Sequence, residues 1–488
     1  MLEKLAKQTA VYGISTILVR FLSYLLTPYY TRIFGQEVYG IVVDVYALIP
    51  LALTLLTMGM ESSYFRFAAK AEAEGGDTAA AKKRLFATAW GITSYAAALF
   101  FVVVALFRKP LSAVMGEAYL LHPEYVVWVA TIILLDVASA IPFSRLRQEG
   151  RAMRFVALKL LGVVINVVLA FAFGLAGLFA TDFGVGWVFV ANFVASIVTW
   201  VVLIATLDNR SFRIDLQLLK RILVYSLPLL LGGLAGTANE FIDRQLIKYL
   251  VPEGAMAEVG IYGAVTKIAV VMMLFYQMYR LAAEPFFLSN FRKEEFKEMN
   301  AAALKYYLMA SMVIFLAIAL FRDLFALIIG RDFREGIYIL PVVLGGNVLA
   351  GVWLNLSFWY KREERTSLAL VVTGSGLVVT LGAGFALIPV MGYYGAAWVR
   401  LASEAAMVGV SLWLNRRYYP TPYDWPRIGE YVVVALMGYA GAEWIAEECP
   451  SNLGDYLLKA ALFVGYMGYL VRREQIDVKA LIRAMLKR

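Results

Sequence analysis

Cysteine, histidine and charge are what this chain of 488 residues has least of. A single cysteine, Cys449, excludes an internal disulfide, and a single histidine, His122, excludes a histidine-based metal centre, an HExxH helix and any Ser-His or Cys-His nucleophile pair. No GxxxxGK[ST] occurs, so the phosphate-cradling loop of an ATPase is absent. Charged residues make up only 17% of the chain, against 61% apolar or aromatic residues and a mean hydropathy of +0.71. No water-soluble domain set of this size carries so much apolar surface, which excludes a soluble enzyme.

What is present instead is a series of long apolar runs. A bilayer-spanning helix needs roughly 20 predominantly apolar residues. Fourteen such stretches are expected, at 10–31, 38–60, 85–107, 125–144, 155–179, 185–207, 222–247, 258–283, 306–328, 336–359, 367–388, 392–414, 430–447 and 456–471. The connections left between them are short, so no folded soluble domain fits and any function must lie within or between helices. The expected class is all-α and polytopic. Lys4 and Lys7 precede the first run without a short apolar region and small-residue cleavage site, which reads as a retained first helix.

The net charge of +9 suggests an anionic partner, but in a polytopic chain Lys and Arg first report orientation. With the N-terminus placed in the cytoplasm, the cytoplasmic connections and tails hold 31 Lys and Arg and the opposite side six. Only an even number of spans brings the basic tail, Arg472, Arg473, Lys479, Arg483, Lys487 and Arg488, to the same side as the N-terminus. Nucleic-acid binding is thereby disfavoured.

An internal repeat organises the spans. Val38-Tyr39-Gly40-Ile41 opens span 2 and Ile261-Tyr262-Gly263-Ala264 opens span 8, and the same offset of 223 carries Asp44 onto Lys267 and Glu61 onto Glu284. Nearby offsets carry Thr31-Arg32 onto Asp243-Arg244 and Arg151 onto Arg365. Spans 1–6 therefore resemble spans 7–12. Six spans is an even number, so both halves keep the same orientation and their pseudo-twofold axis runs along the membrane normal, as in a rocking carrier. The expected domains are residues 1–214, residues 215–417, and residues 418–488 with two appended spans.

Charges inside the spans are the candidate working parts, because a Lys, Arg or Asp at a helix centre costs about 2.5–3.5 kcal/mol and needs water or a partner. Arg20 lies midway along span 1 on a stripe with Thr9, Gly13, Thr16, Thr27 and Thr31, so one face of that helix is polar. Asp44 and Lys267, at matching places in the two halves, suit either a cross-cleft pair or a conformational salt bridge. Asp136, Lys159, Asn166, Asn192, Asn239, Glu240, Asp243, Arg244, Arg400 and Glu404 complete the set within the spans, with Glu61, Arg66, Arg280 and Glu284 near the cytoplasmic mouth. Bland readings compete: Arg400 and Glu404 are four apart and can neutralise one another, Asp243 and Arg244 stand near a helix end, and the asparagines suit inter-helix hydrogen bonding. The candidate substrate contacts are Arg20, Lys267, Arg400, Asn166, Asn239 and Arg244. The candidate ion-coupling or gating groups are Asp44, Glu61, Glu284, Asp243, Glu240 and Asp136. No catalytic or metal-binding set is expected.

Three segments also resemble a known family. Leu25-Leu26-Thr27-Pro28-Tyr29-Tyr30-Thr31-Arg32-Ile33-Phe34-Gly35 with Tyr39-Gly40, Tyr225-Ser226-Leu227-Pro228 running to Ile242-Asp243-Arg244, and Leu387-Ile388-Pro389-Val390-Met391-Gly392-Tyr393-Tyr394-Gly395-Ala396-Ala397-Trp398 are similar to the first helix, the seventh helix and the 11–12 hairpin of the polysaccharide-transporter branch of the multidrug/oligosaccharidyl-lipid/polysaccharide exporter superfamily. The resemblance implies a Wzx-type flippase of a bacterial inner membrane, moving a polyprenyl-pyrophosphate-linked oligosaccharide for O-antigen, capsule or exopolysaccharide assembly, in the company of a glycan polymerase and chain-length machinery. Lipid II flippases of the superfamily pair basic residues on spans 1 and 8 with an acid on span 2, the helices of Arg20, Lys267 and Asp44. No cofactor is implied beyond H+ or Na+ as a coupling ion. A lipid II flippase and a drug/cation antiporter are rival readings within the superfamily. A membrane-embedded glycan polymerase or glycosyltransferase is disfavoured because the longest exterior connection, 108–124, is short.

Overall fold

The structure, a computed structural model, describes residues 18, 21–75, 77–208, 211–291, 293–365, 367–448 and 452–475. Every regular element among the described residues is helical. The chain divides into two compact units, one of residues 1–263 with 388–392, the other of 264–387 with 393–488.

In the first unit, α1 (Leu26–Ile33), α2 (Gln36–Thr57), α3 (Met60–Glu74), α4 (Thr78–Leu106), two short helices α5 (Arg108–Met115) and α6 (Glu117–Leu120), α7 (Glu124–Gln148), α8 (Ala152–Leu175), α9 (Gly186–Ala205) and α10 (Leu216–Leu250) lead to α11 (Ala255–Ile268), which leaves the unit after Gly263. Their starts follow from local chemistry. The Asp77 carboxylate accepts from the Ala80 amide at 3.0 Å, and that of Asp215 accepts from the Gln217 and Leu218 amides, both at 3.1 Å, satisfying donors that a helix leaves orphaned. The inner helix is α7, which packs against α2, α4 and α9. The Trp90 indole donates to the Ala138 carbonyl at 2.8 Å and pins α4 to α7. Met60, Tyr64, Phe86, Trp90, Ile141 and Ile222 form a buried cluster around that contact. Gly59 breaks α2 from α3 at φ 68°, and a side chain there would meet the Ser226 carbonyl of α10 at 2.9 Å.

The second unit holds α12 (Val270–Asn290), α13 (Phe296–Leu320), α14 (Arg322–Ala326), α15 (Leu340–Leu356), α16 (Phe358–Arg362), most of α17 (Leu368–Tyr418), α18 (Trp425–Glu448) and α19 (Asn452–Arg473). Its centre is α13, packed against α12, α15, α18 and α19. The α18–α19 hairpin is fastened to α13 by Lys305 with Glu474 at 2.8 Å and to α14 by Arg322 with Glu443 at 2.7 Å.

Nine helices among the described residues are long and apolar enough to cross a membrane, or ten if the broken pair α11 and α12 is one span. Fourteen spans were expected, and the differences have identifiable origins. Ten of the 22 residues of span 1 lie outside the described residues, and the rest run into the short α1. Spans 11 and 12 form one helical run, α17, interrupted only by the non-helical Gly392. Helices α18 and α19 stand at the places expected for spans 13 and 14, but they carry Glu430, Glu443, Asp455 and Lys459 and so fall outside the apolar set.

Candidate functional site

The strongest polar construction in the first unit joins α2, α6 and α10. Asp44 is wholly buried. Its Oδ2 accepts from the Lys248 ammonium at 2.5 Å and from the Tyr119 hydroxyl at 2.6 Å, and its Oδ1 accepts from the Gln245 amide at 2.5 Å. The Lys248 side chain is 4% exposed, and its ammonium lies 4.8 Å from the centre of the Tyr119 ring. A buried ion pair survives only when geometry is good and its remaining lone pairs are met, and all three partners here do that. One residue further on, the Tyr249 hydroxyl donates to the Val114 carbonyl at 3.3 Å. The end of α10 is thus tied both to α2 and to the α5–α6 connection.

A second group lies one turn back along α10. Asp243, 3% exposed, accepts from the Tyr262 hydroxyl at 2.6 Å and from the Arg244 amide and guanidinium, both at 2.8 Å. Arg244 also donates to the Glu240 carbonyl at 3.1 Å. The repeat-related Tyr39 and Tyr262 are both buried, and the helices they open cross closely. A β-carbon on Gly40 would stand 1.9 Å from the Met256 carbonyl oxygen, one on Gly260 2.2 Å from that of Gln36, and one on Gly263 2.4 Å from Val43. Only glycine permits the backbones of α2 and α11 to approach so far. Lower along α2, Thr54 shares a hydrogen bond of 3.2 Å with Thr237 of α10.

A polar wall runs through α7, α8 and α9. Asp136 accepts from the Ser196 hydroxyl at 3.0 Å, Asn192 donates to the Tyr46 hydroxyl at 3.3 Å, and Glu61 accepts from Ser144 at 3.2 Å. The carbonyl oxygen of Asn166 is buried with no hydrogen-bond partner among the described residues.

In the second unit, Glu284 receives Arg280 at 3.3 Å and Lys361 at 3.4 Å. Glu404 accepts from the Trp353 indole at 3.1 Å, and the Arg400 stem lies against Gly346. Lys267 is half-buried on α11.

The structure therefore brings Asp243, Arg244 and Glu240 together and embeds Asp44, Asp136, Glu61, Glu284 and Glu404 in local networks. Asn239 is half-buried and Glu240 exposed on α10. Arg20 lies outside the described residues. The repeat offset pointed to Lys267 as the cation for Asp44, and Lys248 fills that role. Symmetry-related positions correspond without having to touch, and Lys248 lies just past the expected end of span 7. Tyr119 and Gln245 were also missed. Gln245 follows Arg244 directly, but no local pattern marks Tyr119, which comes from the connection between α4 and α7.

This helical arrangement is that of a membrane transporter fold. It matches a solved lipid II flippase, MurJ in an inward closed conformation, with a TM-score of 0.75 and 12% identity over 96% of this chain and 100% of that one. It also matches an inward-facing multidrug resistance MATE transporter of the MOP superfamily, with a TM-score of 0.69 and 17% identity over 84% of this chain and 98% of that one. At these identities the likeness establishes the fold. No curated protein matches the sequence. The polysaccharide biosynthesis protein family matches residues 5–291, more than half of the chain, and the protein belongs to that family. Its long apolar helices make it a multi-pass membrane protein.

Proposed function

We propose that the protein is a flippase that carries a polyprenyl-pyrophosphate-linked oligosaccharide from the cytoplasmic to the outer leaflet of the plasma membrane by alternating access. It sits in the bacterial inner membrane with both termini in the cytoplasm and performs no covalent chemistry. The observation that carries the reading is the Asp44–Lys248–Tyr119–Gln245 cluster. Helix α10 opens the second repeat, yet its Lys248 end is fastened by a buried ion pair to α2 of the first repeat. With the orientation read from the basic loops, that end faces outward, so the cluster closes the exterior side while the cytoplasmic side admits substrate. Residues 1–214 and 215–417 are then the rocking bundles, and opening outward requires the cluster to separate.

The chemistry suits this cargo. A polyprenyl chain remains in lipid, so only the pyrophosphate and sugars need a wet passage. Arg20, Lys267, Arg244 and Arg400 supply cations for the phosphates, each close pair being worth about 4 kcal/mol at 4 Å and an effective dielectric near 20. Asn166 and Asn239 suit sugar hydroxyls. Asp44, Asp136, Asp243, Glu61, Glu240 and Glu284 are the acids through which H+ or Na+ drives the return step. A glycan polymerase and chain-length proteins act on the product at the outer face.

Depletion of the protein tests the reading. A lipid-linked glycan is expected to accumulate on the cytoplasmic leaflet. Accumulation of lipid II would move the assignment to peptidoglycan precursors, a second reading favoured by the extent of the match to MurJ. Accumulation of no lipid-linked glycan would overturn the proposal.

A further inference from the structure

One cation in the first unit takes no part in the networks above. Lys159 stands seven residues into α8, about 10 Å along the helix from Ala152. Among the described residues it makes no hydrogen bond and no ion pair; its direct contact is the Phe143 ring, 4.1 Å from the ammonium. The charges that act on it from a distance are those of Asp136, Glu61 and Arg147. It is also exposed, in a helix that spans the membrane.

The direction of that exposure decides its meaning. Val164, Val168, Phe171 and Leu175 follow one another by four, three and four residues and are 50%, 58%, 42% and 90% exposed, so they form the lipid-facing stripe of α8. At 3.6 residues per turn, Lys159 lies about 150° around the helix from the centre of that stripe. Asn166, two turns on, shares its side, as do the buried Phe155 and Ala170. Lys159 therefore faces away from that stripe while remaining exposed, on a face turned from lipid. An unpaired ammonium held there on a rigid helix, beside a ring that limits its motion, is arranged to receive an anion. The nearby carboxylate, Asp136, accepts from Ser196 on one oxygen and lies beyond ion-pair distance of the ammonium, acting on it only through space.

We propose that Lys159 is the phosphate anchor on the α8 wall, binding the anionic head group of the lipid-linked substrate. The inference rests on the flippase reading and deepens it by assigning a contact on α8. The ammonium donates to phosphate oxygens, and Asn166 offers its amide two turns further along the same face.

Binding of geranylgeranyl pyrophosphate to the full chain in nanodiscs, with geranylgeraniol as the uncharged comparison, is the test. Wild type is expected to bind the pyrophosphate and to prefer it over the alcohol. Lys159→Gln should weaken the pyrophosphate about ten- to hundredfold, as loss of a charge-assisted hydrogen bond does, and leave the alcohol unchanged. Lys159→Arg should retain binding. Lys159→Met keeps the stem against Phe143 and serves if the glutamine variant does not fold. Lys70→Gln, at an exposed lysine paired with Glu74, should change nothing. Failure of wild type to prefer the pyrophosphate overturns both this assignment and the flippase reading. Wild-type preference with unaltered binding in the Lys159 variants overturns this assignment alone.

Discussion

Asp44→Ala is the sharpest perturbation available. It leaves the Lys248 ammonium, 4% exposed, and the Tyr119 hydroxyl, wholly buried, without their acceptor. Removing one partner of a buried ion pair costs about 3–5 kcal/mol, because the remaining charge stays desolvated. If the cluster exists only while the exterior side is closed, that cost falls on the closed form. At tenfold per 1.4 kcal/mol the balance then moves toward outward opening by about two to three and a half powers of ten. The assay uses a Cys449→Ser background carrying Thr237→Cys, placed on α10 where the native hydroxyl bonds Thr54. A membrane-impermeant maleimide is added from outside intact cells. Labelling should be slow with Asp44 present and fast in Asp44→Ala. It should be slow again in Asp44→Ala with Lys248→Met, since an uncharged pair carries little desolvation penalty. Unchanged labelling in a folded Asp44→Ala protein would show that the cluster only stabilises the fold, and the gating argument would be wrong.

Three further outcomes are expected. Gly260→Ala places a β-carbon 2.2 Å from the Gln36 carbonyl and should lower stability by about 1–3 kcal/mol in thermal unfolding, whereas Gly409→Ala, which meets nothing within 4 Å, should not. Tyr262→Phe removes a donor to the buried Asp243 and should cost about 1–3 kcal/mol, read by the same assay. Asp215 is held below its ordinary value of 3.8, first by the Leu218 amide and then by Arg84. A lowered carboxylate stabilises the fold above its unfolded pKa and loses that effect as pH falls through the folded one. The advantage of wild type over Asp215→Asn in melting temperature should therefore be constant from pH 7 to 5 and vanish in stronger acid.

Much of the helical frame was legible because an apolar run and its flanking charges fix a span locally. The expected 125–144 and 185–207 correspond to Glu124–Gln148 and Gly186–Ala205. Less legible were continuations past the apolar run. The expected 222–247 extends to Leu216–Leu250, since Asp215 caps a turn that hydropathy does not register. Polar residues inside spans were identifiable as sites needing partners, and Asp44, Asp136 and Asp243 all have them. Which partner each would find was not. Lys248 lies 204 residues from Asp44, and Tyr119 comes from a connection whose short helices carry no periodic signal. Helical spacing reports which face a residue occupies; it does not report what another helix brings to that face.

Transbilayer movement itself tests the central claim most directly. The purified protein, reconstituted in liposomes with a fluorescent polyprenyl-pyrophosphate oligosaccharide, should bring label initially confined to one leaflet within reach of an impermeant quencher on the other. Asp44→Ala should do so more slowly. Equal rates in protein-containing and protein-free liposomes, across short and long glycans and with either a proton or a sodium gradient, would contradict the account.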